Sequence, residues 1–268
     1  METIINKAFE IGDPIAMHEY LHEQGKVDNK LLNVEYNVTC DKCGRLCDIA
    51  KFDDCIVKIC DCETKAKVKP KALKKIHFYW KQSKIPDNLK KCTFENFEKD
   101  LNNQVRNLYQ GFRYYAKSLE QDNKSTLTVM GSMGAGKTHL SVATGKELVR
   151  RGFSVYFISF PTLMRNIRET MDKGNDMTQT EIFKMIERCD VFILDDIMLT
   201  SGTTYEINTL ENIIEVRQGK ANIYTTNLSD DEFDNSKNMK RIQSRILDRT
   251  TTTVLRIVSD DYRTLPPF

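Results

Sequence analysis

Gly131-Ser132-Met133-Gly134-Ala135-Gly136-Lys137-Thr138 decides how this chain is read. The octapeptide matches G-x-x-x-x-G-K-[ST] in full. Its glycines let the backbone curl so that successive N–H groups aim at one anion. A helix opening at Lys137 turns the positive end of its dipole to the same point. Lys137 then reaches the outer phosphates of a nucleotide, and the Thr138 hydroxyl offers a ligand to Mg²⁺. The eight residues alone can occur by chance, so their context decides. Thr126–Met130 is a short apolar run before the loop, and Lys137–Arg151 has helical periodicity after it, as the motif requires.

Working outward, Val191-Phe192-Ile193-Leu194-Asp195-Asp196 reads as a buried strand ending in two carboxylates. In a parallel sheet such a strand delivers its acids to the edge where phosphates bind. Asp195 is expected to hold Mg²⁺, and Asp196 to orient or deprotonate an attacking water. Ile223-Tyr224-Thr225-Thr226-Asn227 is a second strand, and Asn227 at its end can hydrogen-bond that water or the γ-phosphate. A turn residue after a strand is the plainer reading of Asn227. Arg241, Arg245 and Arg249 are spaced by four, so they share one helical face. They either pair with neighbouring acids or supply charge to a γ-phosphate in a neighbouring subunit.

The same alternation continues throughout the second half. Ser154–Ile158, Asn222–Thr226 and Thr252–Val258 read as strands; Thr162–Met171, Gln179–Arg188, Tyr205–Val216 and Lys237–Leu247 read as helices. Strands alternating with helices imply an α/β core, a mostly parallel sheet flanked by helices on both faces. Towards the start, apolar positions such as Ile4, Ile5, Phe9, Ile15 and Leu21 fall at helical spacing, so residues 1–38 are expected to be helical.

The 268 residues carry 40 Lys+Arg against 38 Asp+Glu, with 12 Gly and 6 Pro, which excludes collagen and a mostly disordered chain. No apolar run is long enough to span a membrane and the start is not a secretory signal, so a cytoplasmic setting is expected. The near-neutral total hides a basic stretch: Lys65–Lys91 holds ten Lys against one acid, Asp87. His77-Phe78-Tyr79-Trp80 lies inside it. Lysines interleaved with rings suit a nucleic-acid backbone, but a solvated helix packing its aromatics on the next domain is the reading favoured.

Six of eight cysteines fall between Cys40 and Cys62. In a reducing compartment such a cluster binds metal more readily than it forms disulfides. Cys40 and Cys43 form a C-x-x-C knuckle, and Cys60 with Cys62 offers a second pair, a layout suited to structural Zn²⁺. Cys47 and Cys55 are alternates for the second pair; Cys92 and Cys189 are expected to be buried small residues. The domains expected are an N-terminal helical and zinc-binding part at 1–63, a basic linker at 64–91, and the α/β core at 92–268.

Taken together, the Lys-Thr loop, Asp-Asp strand, Thr-Thr-Asn strand and Arg-x-x-Ser-Arg helix resemble AAA+ P-loop ATPases, and within them the helicase loaders of the DnaC/DnaI type and their IstB relatives. Ile85-Pro86 with Cys92-Thr93-Phe94-Glu95-Asn96-Phe97, and Asp260-Asp261-Tyr262-Arg263 near the end, are similar to segments of these loaders. The resemblance implies ATP as ligand, with Gly131 to Thr138 and the adjoining His139 as its contacts and Arg263 as a further γ-phosphate contact. It implies ATPase catalysis by Lys137, Asp195, Asp196 and Asn227, with Arg245 as an arginine finger through which copies self-associate. Asp196 stands where many such ATPases have Glu, one methylene shorter. With 19 residues after Arg249, a helical lid is not expected.

The resemblance further implies a hexameric replicative helicase as partner of residues 1–63. Single-stranded DNA is the other partner, at Arg165, Arg168, Lys173, Thr203 and Tyr205. A transposition helper ATPase like IstB is the alternative. A small-molecule kinase gives the Thr-Thr-Asn strand and the Ser-Arg helix no task; a metal- or redox-sensing regulator that merely binds nucleotide is a further alternative.

Overall fold

The computed structural model describes residues 31–40, 46–52, 56–59, 70–120, 124–170, 178–199, 202–234 and 236–258. The chain divides into two compact units, 1–75 and 76–268. The basic stretch 64–91 runs across this division.

In the first unit, β1 (Leu31–Thr39), β2 (Leu46–Phe52) and β3 (Ile56–Ile59) form an antiparallel sheet in the order β1-β2-β3. This corrects the helical reading of the N-terminal part where it overlaps residues 31–38. Val34, Tyr36 and Val38 alternate with Glu35 and Asn37, the period of a strand, and β-branched and aromatic residues favour it. Glu35 and Lys51 form an ion pair between β1 and β2. The helical spacing of Ile4 to Leu21 lies outside the described residues. Of the four zinc cysteines, Cys40 alone is described, and it is buried. Cys43, Cys60 and Cys62 lie outside, and among the described residues no three metal-binding side chains gather.

In the second unit, β4 (Thr126–Gly131), β5 (Val155–Ser159), β6 (Val191–Ile197), β7 (Ala221–Thr226) and β8 (Thr252–Ile257) form a parallel sheet in the order β5-β6-β7-β4-β8. Helix α1 (Pro70–Gln82) begins in the first unit and ends in the second; α2 (Asn103–Ser118), α3 (Lys137–Arg150), α4 (Phe160–Glu169), α5 (Gln179–Arg188), α6 (Thr204–Val216), α7 (Asp230–Asp234) and α8 (Lys237–Ile246) complete the described part. The expected strands and helices of the core all form, with ends shifted by a residue or two. The sequence reading missed α2, whose start is fixed by the Asn102 side chain accepting from the Val105 N–H.

Period-two alternation assigns the two faces of the sheet. Tyr156, Ile158, Phe192, Leu194 and Tyr224 pack with residues of α4, α5, α6 and α8 in one core. Ile193 points the other way, towards α3, where Gly145 admits both it and Trp80; a Cβ at Gly145 would lie 3.2 and 3.1 Å from them. With both faces covered, β5 and β6 are near-continuous apolar runs up to Ser159 and Asp195. Trp80 and Tyr79 are buried and Phe78 is about half exposed, so two of the three rings pack on the core as favoured. Lys84 N–H donates to Phe157 O and Phe157 N–H to Ser83 Oγ, so residues 83–84 run alongside β5. Cys92 and Cys189 are buried, as expected.

Candidate functional site

Parallel pairing brings the ends of β4, β6 and β7 to one edge of the sheet, and the predicted chemistry collects there. The loop leaving β4 turns back through Gly134 at φ 75° and Gly136 at φ 83° into α3. At Gly131 a Cβ would stand 1.8 Å from Ile257 O, so β8 requires glycine at that position. At Gly136 a Cβ would meet the Phe97 ring at 2.5 Å. No side chain caps the N-terminus of α3. Its first N–H groups therefore suit an external anion, the donor set that nucleotide phosphates need.

Lys137 is buried and its Nζ donates to Gly131 O and Ser132 O at 2.7 Å each and to Asn227 Oδ1 at 2.6 Å. The Asn227 amide then donates to Asp196 Oδ1 at 3.1 Å. One polar chain thus joins the loop lysine, the end of β7 and the end of β6. Asn227 is more than a turn residue, since its two ends bridge the cation and the carboxylate. Asp195 is buried beside Thr138, and Thr225 Oγ1 donates to its Oδ1 at 2.7 Å. Burial pushes the Asp195 carboxyl up to about 6, opposed by hydrogen bonds from Thr225 and Thr138 and by the Lys137 charge, while Asp196 raises it further. A carboxylate and a hydroxyl side by side are the hard oxygen donors that suit Mg²⁺.

The other predicted residues sit as follows. Met133 is exposed at the loop tip and Ala135 buried beneath it. His139 turns from the loop towards the preceding segment: its Nε2 lies 2.8 Å from Thr93 O and its ring stands edge-on to Phe97. Burial lowers its pKa, favouring the neutral ring. Phe97 also stacks on Tyr109, so residues 93–97 brace the loop from α2, a role the sequence reading gave no residue. Arg245 reaches Glu211 at 3.6 Å and Glu215 at 3.8 Å on α6 of its own chain. A cavity of about 730 Å³ opens beside it, between Lys240, Arg245 and Arg256, and extends to Thr126 and Asn222 at the opposite edge of the sheet. Arg263 lies outside the described residues.

Of the DNA candidates, Arg165 lies 3.9 Å from Glu169 on the surface of α4, and Arg168 Nε donates to Met164 O. The Thr203 hydroxyl caps α6 by accepting from the Glu206 N–H. Tyr205 is exposed on the first turn of that helix. Lys173 lies outside the described residues.

The family model described as IstB-like ATP binding protein matches residues 65–265, three quarters of the chain. The chain belongs to this family. A curated relative, the replicative helicase loader DnaC of Buchnera aphidicola subsp. Schizaphis graminum, is 25% identical over 158 residues, which are 59% of this chain and 62% of the relative. The chain thus spans about three fifths of that relative's length. A crystal structure of the DnaC helicase loader superposes with a TM-score of 0.56 at 24% identity, covering 64% of this chain and 99% of that one. The replication initiator DnaA bound to AMPPCP and single-stranded DNA superposes with a TM-score of 0.51 at 25% identity, covering 63% of this chain and 50% of that one. The core is therefore an AAA+ fold of the DnaC and DnaA kind, in an ATP-binding family. No helix among the described residues is long and apolar enough to cross a membrane.

Proposed function

We propose that this protein hydrolyses ATP and uses the cycle to load a hexameric replicative helicase onto single-stranded DNA. The observation that carries the reading is the polar chain Lys137–Asn227–Asp196 beside the buried Asp195–Thr138 pair. It supports turnover because it couples a phosphate-binding cation to a carboxylate able to accept a proton. ATP phosphates lie against the amides that open α3, and Lys137 exchanges loop carbonyls for phosphate oxygens. Thr138 and Asp195 would hold Mg²⁺, which would supply positive charge to the outer phosphates. Asp196 accepts the proton of the attacking water, and Asn227 keeps that carboxylate oriented. Arg245 of one copy supplies positive charge to the γ-phosphate held by its neighbour, so copies meet at the nucleotide. Arg263 adds a further contact to the γ-phosphate.

The loader reading is supported by the resemblance to proteins named helicase loaders. An initiator of the same core fold holds single-stranded DNA, which supports a strand at Arg165, Arg168, Lys173, Thr203 and Tyr205. The decisive experiment is co-elution with the cognate replicative helicase, with and without ATP. Recovery of a helicase complex is expected. Binding to a transposase instead, with no helicase retained, overturns the loader for the transposition helper.

Residues 1–63 are proposed as the helicase-binding part, stabilised by Zn²⁺ on Cys40, Cys43, Cys60 and Cys62. Sheet register supports a site at the end of the sheet near Cys40. Thr39 pairs with Leu46 and Ile59 with Asp48, so the chain leaves β1 and β3 at one end of the sheet. In the sequence Cys40 and Cys43 follow β1 and Cys60 and Cys62 follow β3, and Cys47 lies in β2 opposite Val38 near the same end. Such a site folds its module and does no chemistry. Elemental analysis of protein purified without chelators is expected to give about one zinc per chain, the stoichiometry of a four-thiolate site; finding none removes the metal from the proposal.

A further inference from the structure

Pairing of β6 and β7 is regular from Val191 opposite Ala221 to Leu194 opposite Tyr224, and resumes at Ile197 opposite Thr226. Asp195 and Asp196 occupy the break. Asp196 has φ 53°, alone among the described non-glycine residues in being positive. A left-handed aspartate costs on the order of 1 kcal/mol and persists where its surroundings hold it.

Two neighbouring hydroxyls replace the missing ladder. Thr225 Oγ1 accepts from the Asp196 N–H at 2.9 Å and donates to Asp195 Oδ1 at 2.7 Å. Thr226 Oγ1 donates to Ile197 O at 2.7 Å and accepts from the Leu228 N–H at 3.0 Å. Both threonines are buried, at 1% and 0% exposure. The assignments are complementary: Thr226 closes the ladder beyond the acids, while Thr225 grips the acids themselves. A hydroxyl carries one donor and two acceptor sites, so Thr225 serves both contacts at once. A valine of the same shape serves neither.

We infer that Thr225 is a positioning residue, whose hydroxyl fixes the left-handed turn so that Asp195 and Asp196 take separate tasks, one towards the metal and one towards the water. This rests on the ATPase reading above. Thr225 reaches the reaction through the two carboxylates, so its loss must appear in turnover and in Mg²⁺ dependence rather than in nucleotide binding without metal.

The test compares Thr225→Val with Thr225→Ser in the full chain. Binding of a fluorescent ATP analogue in EDTA should match the native chain for both, which also shows that they fold. With Mg²⁺, Thr225→Val should lose about 10- to 100-fold in kcat and need more metal for half-maximal turnover, the usual cost of removing a group that orients a metal ligand. Thr225→Ser should recover most of that loss. Native-like kcat and Mg²⁺ dependence in Thr225→Val overturns the inference. So does a Thr225→Ser as impaired as Thr225→Val, because the methyl group would then be what matters. Should the valine variant not fold, Thr225→Cys takes its place, since a thiol is a weak donor of similar size. Should the native chain bind ATP but never hydrolyse it, the ATPase reading fails by itself. The tightening of analogue binding by Mg²⁺ then tests Thr225: it should weaken in Thr225→Val and return in Thr225→Ser, and equal tightening in all three sinks it.

Discussion

The two edges of the parallel sheet each bury a charged side chain, and they treat it in opposite ways. At the edge where the strands begin, Arg217 has no exposure at all. Its guanidinium donates to Asn222 Oδ1 at 2.7 Å, to Ala221 O at 2.6 Å and to Cys189 O at 2.9 Å, with longer bonds to Ile186 O, Glu187 O and Asp190 O. Every donor position of the fork finds an oxygen, and the ends of α5, α6, β6 and β7 are tied by one residue. At the edge where the strands end, Asp195 is also buried, but its carboxyl is raised to about 6 and its neighbour Asp196 is held left-handed. One edge is satisfied by its own chain. The other keeps a desolvated acid and a strained backbone, which is how a fold stores capacity for a ligand. A buried charge is therefore informative only when its partners are counted.

Substitutions at the two edges test this contrast. The largest effect is expected from Lys137→Met, which removes the ammonium that holds the loop and is proposed to reach the phosphates. Its turnover should fall about 100- to 1,000-fold, the cost of losing one preorganised charge donor. A steady-state ATPase assay reads it, and near-native rates would leave the upper edge without a functional claim. Next comes Arg217→Met. It strands several carbonyls, and chemical denaturation should show a loss of about 3 kcal/mol. A variant as stable as the native chain would mean that the lower edge is not the tie described.

Smallest is Asp195→Asn, where the sign reverses. The carboxyl has a folded-state pKa of about 6, above its ordinary 3.8. A raised carboxyl favours folding when protonated, so its contribution is complete below about pH 4 and is lost as pH rises through about 6. At pH 7.5, without nucleotide or Mg²⁺, Asp195→Asn should be more stable than the native chain by on the order of 2 kcal/mol. The difference should vanish near pH 4. Thermal melts at the two pH values decide it, and a destabilised asparagine variant at pH 7.5 would show that the upper edge is as self-satisfied as the lower.

Particular residues show what could be read early. The loop at Gly131–Thr138 and the acids at Asp195 and Asp196 were legible because phosphate and metal chemistry demand those types at that spacing. Asn227 was legible as a candidate because it ends a strand parallel to both. Thr225 was not, since one threonine among the β-branched residues of a strand looks like propensity alone. Arg217 carries no sequence signal of its burial, because an arginine in the turn after a helix is ordinarily solvated. Helical spacing upstream runs on into residues 31–38, whose own alternation is that of a strand.

The sequence by itself determined the parallel α/β core, the glycine-rich loop and the order of the candidate residues around it. These are local patterns: a period of two or of 3.6, and a glycine spacing that fixes how a backbone turns. The tertiary structure decided which of those residues meet. Lys137 and Asn227 are ninety positions apart, Asp195 and Thr225 thirty, and only pairing of β4, β6 and β7 brings them within hydrogen-bond distance. Burial, the raised acid and the left-handed turn all follow from that meeting, because they depend on how much water the neighbouring strands exclude.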